Sequence, residues 1–256
     1  MATDPYAAPR APVADAPGTP IADNFVPEGQ SRPAGNGWTW IAESWDLFKQ
    51  QPGTWILVII IMLAVSIVLS LIPFVNVVVG LLGPVFLGGL MLGCRAIDEG
   101  SGLEVGHLFA GFRENAGKLV LVGLFTIVAW LLVALIVVLI VGGSVFALRT
   151  AGADHGAGMA GMALAVLIGL ALGIPIYMAA WFAPALIVLN GMGVIDSLKV
   201  SFFGCLKNIL PFLIYGIVLF VLAIVASIPI LLGWLVLVPM LIASVYTAYR
   251  DIFYAR

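Results

Sequence analysis

Long hydrophobic runs follow one another from residue 53 to residue 248, and Lys, Arg, Asp and Glu fall between them. Crossing a bilayer as a helix takes about 20 apolar residues. On that ruler the chain holds six spans: Thr54–Ile72, Val75–Ile97, Leu119–Val141, Met162–Leu189, Ile209–Ile228 and Leu231–Tyr249. Pro73 and Pro229 mark short uncharged turns. A Gly- and Ala-rich loop carrying Arg149, Asp154 and His155 is expected between spans three and four. Span four is long enough to tilt, or to bend at Pro175 or Pro184. The pattern predicts an all-α fold: a polytopic membrane helix bundle with six transmembrane helices.

A shorter periodicity precedes each odd-numbered span. Trp38, Ile41, Trp45 and Phe48 recur every three or four residues, with Glu43, Asp46 and Lys49 opposite. Val105, Leu108, Phe109 and Phe112 do the same beside Glu104, Arg113 and Glu114. The third set is Ile195, Leu198, Phe202 and Cys205 or Leu206, with Asp196 and Lys199. Such spacing puts one apolar stripe on a helix, so three short interfacial amphipathic helices are expected. Each even-numbered span holds an internal proline: Pro84, Pro184 or Pro239. The chain therefore reads as a pseudo-threefold repeat of interfacial helix, span, outer turn and proline-bearing span. Prolines free backbone carbonyls at membrane depth. Three such kinks facing one axis would outline a central cavity; kinks that only shape the bundle are the plainer reading.

Charge sets the orientation. Of the 11 basic residues, all but Arg149 fall on one face of this topology, among them Arg32, Lys49, Arg95, Arg113, Lys118, Lys207 and Arg250. The positive-inside rule makes that face cytoplasmic, and six crossings bring both termini to it. Residues 1–37 hold seven of the 15 prolines and few large apolar residues. They are expected to form a disordered cytoplasmic tail, leaving residues 38–256 as the transmembrane domain. The first fifty residues show no apolar signal-peptide core, so the first run is expected to act as an uncleaved anchor.

Composition then narrows the function classes. Hydrophobic residues make up 62% and charged residues 9%, with a mean hydropathy of +1.17; a soluble domain carries about 25% charged residues. A net charge of −2 gives no footprint for nucleic acid. His107 and His155 fall on opposite faces and cannot share a metal, and no hydrolase, zinc or phosphate-loop motif is present. No catalytic, metal or cofactor residues are expected, and the chain is not expected to be an enzyme. Cys94 and Cys205 are expected to be reduced single thiols. The span interiors lack ionisable residues, with Arg95 at the basic end of span two. That argues against ion-coupled transport, which retains charges at depth. Gly89–Gly93 and Gly169–Gly173 are small-residue pairs suited to close helix packing.

Candidate contacts lie near the basic face. Trp38, Trp40, Trp45 and Trp55 are expected at headgroup level. The candidate lipid or partner contacts are Trp38 and Trp45, with Arg95, Asp98, Arg250 and Asp251 closing spans two and six, where ion pairs or lipid phosphate contacts are expected. Membrane lipids are the expected partners, together with a second copy or another membrane subunit, and no nucleic acid. The leading expectation is a non-enzymatic protein that binds or moves a lipid-like or apolar molecule. The alternative is a membrane scaffold or accessory subunit acting through its cytoplasmic loops and tail.

Several strings resemble a family of uncharacterised bacterial six-helix inner-membrane proteins. They include Gly37-Trp38-Thr39-Trp40 followed by Trp45-Asp46-Leu47-Phe48, then Leu82-Gly83-Pro84-Val85-Phe86 and Gly89-Leu90-Met91-Leu92-Gly93-Cys94-Arg95. Gly106-His107-Leu108-Phe109-Ala110-Gly111-Phe112, Asn208-Ile209-Leu210-Pro211-Phe212 and the end from Tyr246 to Phe253 complete the set. The layout is more distantly similar to the membrane region of some glycerophosphodiester phosphodiesterases. The resemblance implies a bacterial inner-membrane location, and it implies no substrate, cofactor or catalytic residue.

Overall fold

The computed structural model describes residues 24–71, 75–113, 115–150, 155–228 and 232–255. The expected turns at Pro73 and Pro229, the loop acid Asp154 and residues 1–23 of the expected tail lie outside these residues. The described residues are mostly helical, with one isolated antiparallel bridge, Phe25–Tyr254, and no longer strand among them. Its elements are α1 (Asn36–Gln50), α2 (Pro52–Ser70), α3 (Val75–Asp98), a 3-10 turn (Val105–Phe109) running into α4 (Ala110–Arg113), and α5 (Ala116–Thr150). There follow α6 (His155–Trp181), α7 (Ala183–Asn190), α8 (Val194–Lys207), α9 (Ile209–Ser227) and α10 (Trp234–Phe253). Five helices are long and apolar enough to cross a membrane, or six if the bent pair α1–α2 counts as one span.

Each predicted span became a helix because its backbone groups must bond internally where no water reaches them. The short segments behave differently. α1 meets α2 at 98°, across the Gln51-Pro52 corner, where the proline cannot continue the α1 ladder. The Gln51 amide oxygen accepts the Leu103 N–H, tying this corner to the loop after α3. α7 stops at Gly191, whose φ of 67° lets its N–H turn back to Ile187 O at 3.0 Å.

The packing order is cyclic. The 3-10 turn and α4 pack on α3, α8 packs on α6 and α7, and α1 packs on α10 and α9. Each amphipathic segment thus leans on the proline-bearing span before it in the chain, and the first, having none, takes the last. The cyclic contacts bury the lower ends of α3, α7 and α10 together. Met91, Cys94, Ile97, Leu186, Ile187, Tyr246, Tyr249 and Phe253 are all essentially inaccessible there. α10 is 61% buried against 6% for α5, which puts the last span at the centre and the third at the rim.

Two expectations change and a third is made specific. The Gly- and Ala-rich segment after Val141 continues α5 as helix to Thr150, and α6 begins at His155. Glycine costs a helix about 1 kcal/mol each, which intervening Val, Phe, Ala and Leu outweigh. At 1.5 Å per residue α5 is about 52 Å long, well beyond a hydrocarbon core of about 30 Å. Span four is not one unbroken helix: its ladder is interrupted at Phe182, the kink expected at Pro184, and Pro184 opens α7 near its first position, where no N–H is needed. Pro84, Pro175 and Pro239 stay inside helices. The expected tail also ends early: from Asn24 onward the chain is docked rather than disordered.

Candidate functional site

Residues 24–35 form a strap across the basic ends of α8, α9 and α10. Val26 N–H bonds Phe253 O at 2.8 Å, Gln30 N–H bonds Ile252 O at 2.8 Å, and Ala255 N–H returns to Asn24 O at 3.0 Å. Asn208, fully buried at the α8–α9 corner, accepts the Arg32 N–H at 2.8 Å and donates to Gln30 O at 2.9 Å and Gly204 O at 2.8 Å. Lys207 Nζ donates to Glu28 O at 2.7 Å. Eight or so backbone groups gain partners this way, and that outweighs the low apolar content that predicted disorder.

The strap closes over a buried carboxylate. Asp251 is 2% exposed. Its Oδ2 accepts from Asn36 Nδ2 at 2.6 Å and from the Trp40 indole N–H at 2.9 Å, and Arg32 Nε lies 3.4 Å from Oδ1. Asp251 was expected in an ion pair or against a lipid phosphate, and it has the ion pair, with Arg32. It points inward, about 100° around the helix from Arg250, and holds the strap, α1 and α10 together. Trp40 and Trp55, expected among the headgroups, are both fully buried. The buried stripe of α1 runs Gly37, Trp40, Ile41, Ser44, Leu47, Phe48, so Trp38 and Trp45 are left outside at 57% and 41% exposure. Trp45 stacks on Phe48 at 5.5 Å.

The remaining candidates separate into two places. Arg250 pairs with Asp98, which also accepts from the Tyr246 hydroxyl at 3.2 Å. Arg95 pairs along its own helix with Glu99 at 2.9 Å and faces a polar cavity shared with His107. Arg95 and His107 thus share one cavity, while Asp98 is bound up with α10.

The break in span four leaves backbone groups at membrane depth, and α8 supplies their partners. Ser201 Oγ accepts the Phe182 N–H at 2.9 Å and donates to Met178 O at 2.7 Å. Cys205 Sγ adds a weaker contact to Met178 O at 3.6 Å. Burial pushes the Cys205 thiol up to about 12, with Ser201 pulling the other way; it is a neutral packing group, not a nucleophile. Ser201→Ala is expected to cost about 2 kcal/mol, because it strands a buried N–H. A thermal melt in detergent would show it, and an unchanged melt would remove Ser201 from this role.

A cavity of about 750 Å³ forms a crevice between α6 and α9 floored by α10. Tyr177, Trp181, Phe212, Gly216, Leu219 and Trp234 line it, and no charged side chain does. From Ile209 to Ala223 it follows α9 for about 21 Å at 1.5 Å per residue. Its lower wall is a braced aromatic set: Trp181 meets Phe212 at 6.0 Å and 90°, and Phe212 meets Tyr215 at 6.1 Å and 84°. The Trp181 indole N–H is buried without an acceptor among the described residues. None of Pro84, Pro184 and Pro239 lines this crevice. Pro184 and Pro239 are packed into the core, in keeping with the plainer reading that the kinks shape the bundle, and the crevice lies on the flank.

No family model matches the chain, and no solved structure does. One curated relative gives the context. The chain is similar to a probable inner membrane protein of Burkholderia thailandensis. The two are 28% identical over 205 residues, covering 76% of each. That description and the apolar helices together support a membrane protein; nothing in them supports a link to glycerophosphodiester phosphodiesterases.

Sequence reasoning missed Arg32, Ser201 and Asn208. Arg32 sits in a Pro- and Gly-rich stretch with no periodicity, and a lone serine or asparagine in an amphipathic helix carries no signal of its own. The crevice was missed because it arises from a gap between α6 and α9, and no periodicity reports how closely two successive spans pack.

Proposed function

We propose that this chain is a multi-pass bacterial inner-membrane protein, with cytoplasmic termini, that binds or moves a lipid-like or apolar molecule in the α6–α9 crevice and catalyses no reaction. The charge-free crevice at membrane depth carries the reading. A cavity lined by Tyr177, Phe212, Leu219 and Phe220 favours an apolar occupant, since each apolar Å² removed from water is worth about 25 cal/mol. The basic residues at the ends of α3, α8 and α10 support the orientation. The right-angle turn between α1 and α2 supports α1 as an interfacial helix. The cyclic packing of the three amphipathic segments supports three copies of one unit.

A filled crevice is the test. A Cβ at Gly216 would meet nothing within 4 Å, so Gly216→Phe should occupy the space without disturbing the fold. Native mass spectrometry on protein re-exposed to bacterial polar lipids should show a retained lipid-mass adduct on wild type and its loss in Gly216→Phe. Equal adducts on two equally stable proteins would reject the crevice as the binding place.

A further inference from the structure

A second cavity, of about 480 Å³, lies under the 3-10 turn and α4 at the basic end of α3. It shares no lining residue with the crevice. Arg95, Glu99, Glu104, His107 and Arg113 line it together with apolar Leu92, Ala96 and Val188. Arg95 and Glu99 satisfy one another at 2.9 Å. Arg113 and Glu104 have no ion pair among the described residues. His107 Nδ1 accepts the Glu104 backbone N–H at 3.0 Å; as an acceptor it is unprotonated, which leaves Nε2 as the ring's N–H donor. The Glu104 side chain caps the 3-10 turn by accepting the His107 backbone N–H, but no ion pair among the described residues neutralises it. The cavity thus offers one cation and one carboxylate without an ion pair among the described residues, and a neutral donor, above an apolar wall.

The surroundings place this charge pair at a membrane boundary. Phe109 and Phe112, on the same short segment, are 42% and 41% exposed and both meet Phe86 of α3 edge-on, at 6.2 and 5.3 Å. Gly89 and Gly111 let the segment's backbone touch that of α3, so the cavity floor is rigid. An anion alone would meet the Glu104 carboxylate, and a cation alone would meet Arg113. A group carrying both signs a few bonds apart satisfies each.

We propose that this cavity binds the headgroup of an aminophospholipid: phosphate to Arg113 and the His107 Nε2–H, primary ammonium to Glu104, with the acyl chains leaving over Leu92 and Val188. The site is independent of the crevice. Charge-assisted hydrogen bonds of this kind are the strong ones, and phosphate suits arginine geometry.

Native mass spectrometry with equimolar phosphatidylethanolamine, phosphatidylcholine and phosphatidylglycerol of identical chains tests it, in the Gly216→Phe background so that crevice binding is silent. Phosphatidylethanolamine should be retained about tenfold over the other two, the range of one charge-assisted hydrogen bond. Phosphatidylcholine keeps the phosphate but has no ammonium N–H. Glu104→Gln should erase that preference, and Arg113→Gln should remove binding of all three, with Arg113→Lys restoring part. Melting curves show whether each variant is folded, and Arg113→Gln, on an exposed side chain, carries the test if Glu104→Gln is not. Phosphatidylglycerol binding as well as phosphatidylethanolamine would overturn the proposal, as would a preference unmoved by either variant. Displacement of the lipid by an equal concentration of soluble glycerophosphoethanolamine would overturn the lipid as the occupant.

Discussion

Arg32→Met is expected to destabilise the protein by about 3 kcal/mol, the scale seen when one partner of a buried ion pair is removed. The Asp251 side chain is 1% exposed and Arg32 only 17%, so water cannot replace the lost guanidinium cheaply. Arg32 also donates from Nε to Asp251 O at 2.7 Å and from Nη2 to Tyr254 O at 3.1 Å, which binds the strap to the end of α10. The matched control is Asp251→Asn. The amide keeps an acceptor for Asn36 and Trp40 while removing the charge, so Arg32→Met in that background should cost far less. Thermal melting of the four proteins in one detergent gives the coupling directly. Equal costs in both backgrounds would mean that the strap is held by its backbone bonds alone.

Gly37→Ala is the second large effect, again about 3 kcal/mol, at the upper end of overpacking costs. A Cβ at residue 37 would fall 2.8 Å from Tyr215 N and closer still to the Pro211 carbonyl oxygen. Both are backbone atoms of α9, so no rotamer change relieves the clash and α1 must lift off α9. The indole of Trp40 would move with it, away from Phe212 at 5.2 Å and from Asp251. Gly216→Ala supplies the contrast: with nothing near its Cβ, it should be neutral or stabilising by up to about 1 kcal/mol. Melting temperatures that fall alike for both would show that the close α1–α9 crossing is not a determinant of the fold.

These two sites show where sequence was informative. Helices and their order were legible because membrane depth enforces them: a run such as Ile209–Ser227 has no alternative to a helix. Spacing marked the three short segments, but the second is a 3-10 turn and a four-residue helix, and predicted stripe residues such as Phe109, Phe112, Ile195, Trp38 and Trp45 are exposed. Trp38 and Trp45 drew attention as aromatics, while the buried face runs through Gly37, Trp40 and Ser44. A helix between bundle and lipid has two apolar sides, and periodicity alone does not say which faces inward. Asp251 read as a surface charge beside Arg250 because its partners Arg32, Asn36 and Trp40 lie more than two hundred residues away. The partner group at the Phe182 break was equally hidden: nothing local marks Ser201 as the hydroxyl that satisfies it. The crevice depends on how far α6 and α9 stand apart above their aromatic contact at Trp181 and Phe212, and that is a property of packing rather than of pattern.

A structure determined in a lipid nanodisc tests the central claim most directly. Binding of an apolar molecule between α6 and α9 predicts continuous elongated density along Tyr177, Phe212, Gly216 and Phe220, present in wild type and absent in Gly216→Phe. Closure of that space by α6 moving against α9, with Trp181 and Phe212 filling it and no density between them, would contradict it.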